Sequence, residues 1–324
     1  MAVDAAPGPR ILILRRDNIG DLVCTTPLIA ALRAKLPRAW LGALVTTYNA
    51  EVLARNPALD EIHVYEKLKH RSGGLLSHLR TRLAQMSRLR GQKLDCVLVP
   101  APSPQSLKLA RSLKPGQVIA APAAVPANMH EVERSYSVGK ALGVAGRPGP
   151  MLVVPDQEKV RELRKRLGDG PFVAVHISAR RPAQRWPLER YAGLIAKLSA
   201  AQKVMLLWSP GAKDDPRHPG DDEAAAALLR ASKNSSVLPV ETPDLRTLIA
   251  ALSLADRVVC PDGGAMHLAA ALGKPAVALF GDSPVARWRP WGVPHRVVRP
   301  DSRDLADLAL EPVLAACGEL AAAA

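Results

Sequence analysis

Aromatic residues are scarce in this sequence, since Phe, Trp and Tyr make up only 3% of the 324 residues. Proteins that bind single-stranded nucleic acid commonly stack bases on exposed aromatic rings, so the composition argues against such a surface. Apolar residues still account for 48% of the chain, with many Ala and Leu among them. The composition therefore favours helices packed on a sheet, in a chain long enough for two domains.

Long apolar runs are absent as well. No uninterrupted apolar stretch approaches the roughly 18 residues of a membrane-spanning helix, and residues 1–9 contain no signal-peptide core. The four cysteines are far apart, without C-x-x-C spacing, so we expect buried thiols rather than disulfides or zinc ligands. These absences predict a cytoplasmic protein.

Several motifs of nucleotide-binding and catalytic proteins are missing. The sequence has neither the G-x-G-x-x-G fingerprint after a strand nor the G-x-x-x-x-G-K-[ST] phosphate loop. It also lacks the G-x-S-x-G elbow of serine hydrolases, and no His/Asp/Glu cluster has the spacing of a metal site. We therefore expect chemistry that needs neither a metal ion nor an organic cofactor.

Negative charge is in short supply, and the formal net charge is +14. Such an excess attracts nucleic acid, an anionic membrane surface or a phosphorylated substrate. Part of it lies at residues 67–93, which include basic residues and no acidic one. This segment forms either a solvated helix face or a patch that faces phosphates or an anionic membrane.

Apolar runs alternate with amphipathic segments along the chain, which predicts an α/β protein with parallel sheets. The first strand, at 10–16, leads through a turn into a predicted helix from Leu22 to Leu36. Near the end of the chain, a helix is predicted from Leu305 to Leu320, and Pro312 should kink or split it.

A Gly/Pro-rich segment at residues 143–155 separates two halves of similar length. We therefore place one domain at 1–148, a second at 149–300, and a terminal helix within 301–324.

Residues 258–281 predict a strand, a Gly-rich turn, a small-residue helix and a second strand. In the turn, Gly263 and Gly264 let backbone amides approach a phosphate at the helix N-terminus. Asp262 either accepts a hydrogen bond from a ribose hydroxyl or only caps the helix, and His267 either serves the ligand or packs inside the fold.

Asp21 follows Gly20 where the first strand turns into its helix. A carboxylate near a helix N-terminus stays ionised and can act as a general base on a hydroxyl. An aspartate there is also a common helix cap, so both interpretations stand.

Two loops of the second half offer further polar candidates. Arg180, Arg181 and Arg185 follow a strand, where guanidinium groups would neutralise a pyrophosphate and stabilise charge on a leaving nucleotide. Asp214 and Asp215 follow the next strand, where a carboxylate can accept from ribose hydroxyls. All of these are also ordinary surface residue types, so the pattern alone leaves their roles open.

Three segments carry a family resemblance that runs over nearly the whole chain. They are ILILRRDNIGDLV at 11–23 with TPL at 26–28, QRWPLERY at 184–191, and PDGGAMHL at 261–268. Together they resemble glycosyltransferase family 9, the heptosyltransferases of lipopolysaccharide core assembly and their relatives. The resemblance implies a GT-B fold, with two Rossmann-like α/β/α domains facing a central cleft. The first domain would bind the acceptor, the second the nucleotide sugar, and the terminal helix would pack back toward the first.

The resemblance also implies an inverting, metal-independent transfer, with ADP-heptose as the expected donor. The acceptor would be a phosphorylated glycolipid, reached from the cytoplasm by peripheral contact with the anionic inner membrane surface. Asp21 matches the family's catalytic base, with Asn18 and Gly20 on the acceptor side. Asp262, Gly263, Gly264 and His267 match the family's donor-binding motif. We also assign donor binding to Ser178, Arg181, Gln184, Arg185 and Asp214.

Two positions depart from the family pattern. Gln184 stands where the heptosyltransferases have a lysine that contacts the donor phosphates, so Arg181 or Arg185 would have to supply the charge and another nucleotide sugar stays open. Gly263 stands where Thr or Ser is frequent, so one side-chain contact is absent.

Two alternatives remain beside this prediction. One is a nucleotide-sugar epimerase of the same fold, which needs no acceptor. The other is a basic, non-enzymatic binder of nucleic acid or of a membrane surface, whereas the leading prediction expects no nucleic-acid partner.

Overall fold

The computed structural model describes residues 8–65, 75–122, 124–214, 219–232 and 234–322. The chain divides into two compact units, Met1–Leu152 and Val153–Ala324. At the boundary, the N–H of Leu152 donates to Thr26 Oγ1 of the first unit, and the N–H of Val153 donates to the carbonyl of Ala271 in the second. The boundary lies within the predicted Gly/Pro-rich segment, a few residues after position 148.

The first unit is built on a five-stranded parallel sheet of order β3-β2-β1-β4-β5. Its strands are β1 (Arg10–Leu14), β2 (Trp40–Thr46), β3 (Glu61–Tyr65), β4 (Cys96–Val99) and β5 (Gln117–Ala120). Its helices are α1 (Ile19–Val23), α2 (Thr26–Lys35), α3 (Leu75–Gly91), α4 (Pro104–Ser112) and α5 (Glu131–Ser137).

The single helix predicted from Leu22 to Leu36 is wrong, because the structure has α1 and α2 with a break at Cys24 and Thr25. Pro27 has no N–H and cannot donate to the carbonyl of Val23, four residues earlier. That carbonyl instead accepts from the Thr26 hydroxyl at 2.7 Å. The break leaves α1 as a short helix whose first turn contains Asp21.

The second unit is built on a six-stranded parallel sheet of order β11-β10-β9-β6-β7-β8. Its strands are β6 (Phe172–His176), β7 (Lys203–Trp208), β8 (Val237–Glu241), β9 (Arg257–Pro261), β10 (Ala276–Leu279) and β11 (His295–Val298). Its helices are α6 (Gln157–Leu167), α7 (Leu188–Ser199), α8 (Asp222–Ser232), α9 (Leu245–Leu254), α10 (Gly264–Ala271), α11 (Val285–Trp288) and α12 (Leu310–Ala322).

The terminal helix begins later than predicted. Leu305–Asp307 form a separate 3₁₀ turn, and α12 starts at Leu310, so Pro312 lies in the first turn and neither kinks nor splits the helix. Amides of the first turn have no intrahelical acceptor, which is why proline is tolerated there. Buried residues of α12, including Val313 and Leu320, belong to the core of the second unit. The expectation that this helix also packs toward the first domain stays a prediction.

The central strands of both sheets are covered on both faces. All residues of β4, β6 and β10 are buried, whereas the edge strands β3, β5 and β11 have partly exposed residues. Parallel strands covered by helices on both faces have continuous apolar sequences of this kind. The four cysteines are buried and free, as predicted.

Each sheet reverses its strand order once. In the first unit the chain moves outward from β1 through β2 to β3, and then from β4 to β5 on the other side. In the second it moves from β6 to β8, and then from β9 to β11. Ligands of open α/β sheets bind at the carboxyl ends of the strands where the order reverses, here β1 and β4, and β6 and β9.

Within the described ranges, no helix is long and apolar enough to cross a membrane. Part of the basic segment, including Lys67, Lys69 and Arg71, lies outside the described residues. Within α3, Arg88 is exposed and forms an ion pair with Glu61 at 2.6 Å.

Candidate active site

Asp21 lies just beyond the carboxyl end of β1, at the point where the first sheet reverses its strand order. The chain turns at Asp17 and Asn18, and Asn18 is the N-cap of α1. Asp21 Oδ2 accepts from the backbone N–H of Asn18 at 3.3 Å and from its side-chain amide at 2.9 Å. The carboxylate is therefore both a helix cap and a held, accessible group, with 13% of its side chain exposed.

The other oxygen of Asp21 is held by Arg15. Arg15 Nη2 donates to Asp21 Oδ1 at 2.8 Å, and the guanidinium is fully buried. Burial lowers the pKa of Arg15, but Asp17, Asp21 and Glu131 outweigh it and the pKa is raised. Burial also raises the pKa of Asp17, against the effect of Arg15. Of the two acceptor-side candidates, Asn18 is exposed and touches Asp21, whereas Gly20 is buried in α1.

In the second unit, the segments after β6, β9 and β10 come together. Asp262 directly follows β9 and is 7% exposed. Its Oδ2 accepts from the Gln184 side-chain amide at 3.1 Å, and Gln184 ends a 3₁₀ turn (Pro182–Gln184) in the segment after β6. Burial raises the pKa of Asp262, while Ser283, Arg181 and Gln184 act in the opposite direction. Asp262 is thus a buried carboxylate with incomplete charge compensation.

Arg181 joins this cluster from the exposed side. Its Nη2 donates to Ser283 Oγ at 2.9 Å and lies 3.4 Å from Asp282 Oδ1, with 48% of its side chain exposed. Asp282 and Ser283 follow β10, so three neighbouring strands contribute to one group of polar residues.

Arg185 is engaged elsewhere, although it lies only four residues from Arg181. Arg185 donates through Nη1 to Asp221 Oδ1, and its Nη2 lies 3.5 Å from Oδ2. Asp221 is 3% exposed, and its backbone N–H donates to the carbonyl of Ser209. This arginine therefore neutralises a buried carboxylate at the start of α8.

The turn of Gly263 and Gly264 begins α10. Gly263 is the N-cap of this helix and has no side chain that could cap the amides of the first turn. A Cβ atom built on Gly263 meets no other atom within 4 Å, so the space beside this helix end is open. Uncapped amides and the helix dipole make such an end suitable for a phosphate group.

The remaining donor-side candidates have other contacts or are exposed. His267 is 2% exposed, and its ring packs edge-on against Trp288 with centroids 5.9 Å apart. Ser178 Oγ accepts from the backbone N–H of Ser209 at 2.8 Å, which joins the ends of β6 and β7. Asp214 is exposed on the loop after β7, and Asp215 lies outside the described residues.

With this geometry in place, comparison with known proteins identifies the family. The model of glycosyltransferase family 9 (heptosyltransferase) matches residues 118–312, more than half of the chain. The chain belongs to glycosyltransferase family 9. It is therefore an enzyme that transfers a sugar, and the alternatives of an epimerase and of a non-enzymatic binder are set aside.

Relatives of this glycosyltransferase agree with the family assignment. Lipopolysaccharide heptosyltransferase 3 of Escherichia coli is 24% identical over 84% of this chain and 82% of its own. Among solved structures, a family 9 glycosyl transferase from Veillonella parvula has a TM-score of 0.82 at 18% identity, covering 98% of both chains. The ADP-heptose lipopolysaccharide heptosyltransferase II of E. coli has a TM-score of 0.76 at 21% identity, covering 96% of this chain and 98% of its own. The predicted GT-B fold class is confirmed.

Several residues around the glycosyltransferase's candidate site escaped sequence reasoning. Arg15 directly follows β1 within the motif at 11–23 but was given no role of its own, and Ser283 lies in a loop without a motif. Glu131 lies in the segment His130-Glu-Val-Glu-Arg134. The acidic residues at this predicted helix start were the only sequence feature that could have drawn attention to Glu131. Gln184 was identified by its departure from the family pattern, and the structure adds that its amide holds Asp262.

Proposed function

We propose that this family 9 glycosyltransferase transfers heptose from ADP-heptose to a phosphorylated lipopolysaccharide-core acceptor, with inversion at the anomeric carbon and without a metal ion. The observation that carries the proposal is Asp21, an accessible carboxylate at the strand-order reversal of the first sheet, oriented by Arg15 and Asn18. The lipopolysaccharide heptosyltransferases among its relatives support the choice of donor and acceptor. The net charge of +14 supports an anionic acceptor.

In the proposed reaction, Asp21 removes the proton from an acceptor hydroxyl. The hydroxyl oxygen attacks the anomeric carbon of heptose from the face opposite the diphosphate. A new carbon–oxygen bond forms as the bond to the diphosphate breaks, and its electron pair leaves with ADP. Inversion follows because a single displacement takes place from the opposite face.

The donor side must neutralise the charge that develops on ADP. The uncapped amides of α10 support a phosphate at Gly263 and Gly264. Arg181 is the better candidate than Arg185 for the missing lysine, because it is half-exposed beside the Asp262 group, whereas Arg185 is paired with a buried carboxylate. Arginine and oriented backbone amides together stabilise a leaving diphosphate by preorganised electrostatics.

The proposal is tested by incubating the purified protein with ADP-heptose and inner-core lipopolysaccharide and measuring ADP release and the mass of the product. Transfer should persist in EDTA. In a thermal-shift panel of ADP, UDP, GDP and CMP, ADP alone should stabilise, by roughly 2.7 kcal/mol at about 100 times its dissociation constant. A shift with UDP or GDP instead would reject the donor, and a sugar product formed without an acceptor would reject transfer.

The role of Asp21 is tested with Asp21→Asn, which keeps the size of the side chain and removes the basic carboxylate. General bases contribute about 10²–10⁴-fold to a rate, so kcat should fall by that order. The ADP dissociation constant should stay within about twofold, because the nucleotide is assigned to the second unit. Unchanged turnover in this variant would rule out the assigned role.

A further inference from the structure

The guanidinium of Arg15 joins two helices of the first unit to the end of β1. Its Nη2 donates both to Asp21 Oδ1 in α1, at 2.8 Å, and to Glu131 Oε1 in α5, at 2.7 Å. Nη1 donates to Ser135 Oγ at 3.2 Å, and Nε lies 3.2 Å from Asp17 Oδ2. Nη1 and Nη2 of this fully buried side chain are thus hydrogen-bonded, whereas Nε lies near Asp17 without a hydrogen bond.

The charges around this guanidinium do not balance. One cation faces three carboxylates, those of Asp17, Asp21 and Glu131. Glu131 is 1% exposed, and Arg134 Nη1 reaches only to 3.9 Å from its second oxygen. The 3₁₀ segment Ala50–Val52 packs against α1, and its Glu51 forms an ion pair with Arg55. Glu131 is the most deeply buried of the three carboxylates around Arg15.

A general base must be held in a fixed position and must also be able to accept a proton, and this arrangement of charges bears on both requirements. A carboxylate held by a single arginine is well placed, but the neighbouring positive charge favours its ionised form and weakens it as a base. A second carboxylate on the same guanidinium offsets that charge. A buried Glu131, far from solvent, does so without competing for the acceptor.

The hydrogen bonds of Asp21 also distinguish its two oxygens. A carboxylate has about four acceptor sites. Asn18 fills two on Oδ2 through its backbone and side-chain N–H groups, and Arg15 fills one on Oδ1. Among the described residues, Oδ1 thus has fewer donors than Oδ2, and it lies next to Arg15.

We propose that Arg15 is a positioning residue that presents Asp21 Oδ1 to the acceptor hydroxyl, and that Glu131 is the counter-charge that offsets the positive charge of Arg15 beside Asp21. This inference rests on the proposed function of Asp21 as the base. It assigns opposite effects to the removal of Arg15 and the removal of Glu131, which a merely structural role for the cluster does not.

The test compares Arg15→Met and Glu131→Gln with the wild type. The pH dependence of kcat/KM is measured with ADP-heptose and inner-core lipopolysaccharide, and the melting temperature and the ADP dissociation constant are measured beside it. Arg15→Met removes the positive charge beside Asp21, so the acid limb of its pH profile should move to higher pH by roughly one pH unit. Glu131→Gln removes the negative counter-charge, so the acid limb of its profile should move to lower pH by a similar amount. ADP binding should stay within about twofold in both variants.

Glu51→Gln is the matched control, because it removes a carboxylate from the segment packed on α1 without touching Arg15, and its acid limb should coincide with that of the wild type. If Arg15→Met does not fold, Arg15→Lys is measured in its place. Lysine keeps the positive charge but lacks the planar guanidinium with its several N–H donors, so kcat should fall while the acid limb of the pH profile stays at its wild-type position. Glu131→Gln is nearly isosteric with the wild type, and its predicted shift of the acid limb to lower pH can be measured whether or not Arg15→Met folds.

The inference and the proposed function fail in different ways. If the wild type transfers no heptose, or Asp21→Asn retains full activity, the proposed function fails and the inference falls with it. If Asp21→Asn is inactive but the Arg15 and Glu131 variants shift the acid limb in the same direction, or not at all, only the inference is overturned.

Discussion

Arg181 and Arg185 lie in one loop but differ in what they contact, and this predicts different results on their removal. Arg181→Ala should weaken ADP binding by about 10- to 100-fold, the equivalent of one hydrogen bond to a charged group. Its exposed contacts with Asp282 and Ser283 should cost at most about 1 kcal/mol of stability. Isothermal titration with ADP and urea unfolding measure the two quantities.

Arg185→Ala is the matched comparison. It leaves the buried Asp221 carboxylate without its partner, so the free energy of unfolding should fall by about 1–3 kcal/mol. The ADP dissociation constant should change little. The opposite pattern, with affinity lost in Arg185→Ala and stability lost in Arg181→Ala, would transfer the phosphate-binding role to Arg185.

Asp262 predicts a dependence of stability on pH. Burial raises the pKa of this carboxyl in the folded protein, so the folded state binds its proton more tightly than the unfolded chain does. The resulting penalty is absent at low pH, where both states are protonated, and it grows as the pH rises through the folded-state pKa. Asp262→Asn removes the penalty and keeps a partner for Gln184, so it should stabilise the protein at pH 7 by roughly 0.5–2 kcal/mol while weakening ADP binding.

Chemical denaturation of Asp262→Asn and wild type at pH 3.5 and pH 7 measures this difference. The gain should be present at pH 7 and shrink toward zero at the lower pH. A loss of stability at pH 7 would mean that the charged form of Asp262 is favoured in the fold.

Single residues were predictable where the local pattern carries the chemistry. Asp262 directly follows an apolar strand and Asp21 lies in the first turn of the helix after one, so sequence alone placed both near strand ends. Their partners were not predictable, because Arg15 meets Glu131 across 116 residues and Arg181 meets Ser283 across 102. Contacts at that separation depend on strand order, which no local pattern specifies.

At the level of elements, the uncapped start of α10 gives a prediction about Gly263. Gly263→Ser adds a hydroxyl in open space at the N-cap. We expect ADP to bind up to about tenfold more tightly, because the hydroxyl can donate to a phosphate. Stability should rise by only a few tenths of a kcal/mol, since glycine is itself a fair N-cap.

Gly263→Ala is the control for this change, because it adds the Cβ atom without the hydroxyl. Calorimetric titration should give it an ADP affinity no better than that of the wild type. An equal gain in Ser and Ala variants would attribute the effect to backbone stiffening rather than to a hydrogen bond.

Buried strands were the elements that sequence predicted best, since β1, β4, β6 and β9 are continuous apolar runs. Helix boundaries were less predictable. The break before Pro27 depends on the Thr26 hydroxyl taking over the carbonyl of Val23, and the late start of α12 makes Pro312 harmless. The edge strand β11 was missed because its residues are only partly buried and show no apolar run.

For the molecule as a whole, the alternation of strands and helices predicted parallel α/β sheets, and three short motifs predicted the family. The order of the strands was beyond local patterns, because each crossover can run to either side of the sheet. That order matters for function, since its reversals bring the segment with Asp21 to one switch point and those with Gln184 and Asp262 to the other.

The net charge of +14 belongs to the whole molecule and gives the last prediction. Basic residues near an anionic membrane contribute about 1 kcal/mol each, and the attraction decays within a Debye length of about 8 Å at physiological salt. The protein should therefore sediment with phosphatidylglycerol vesicles at low salt and be released at about 1 M, where the Debye length is about 3 Å.

Phosphatidylcholine vesicles are the matched surface without net charge, and little protein should sediment with them. Binding that persists at high salt, or that is equal on both vesicles, would contradict an electrostatic contact and point to an apolar one. Salt-sensitive binding would instead support the proposal that the enzyme meets its acceptor at an anionic membrane surface.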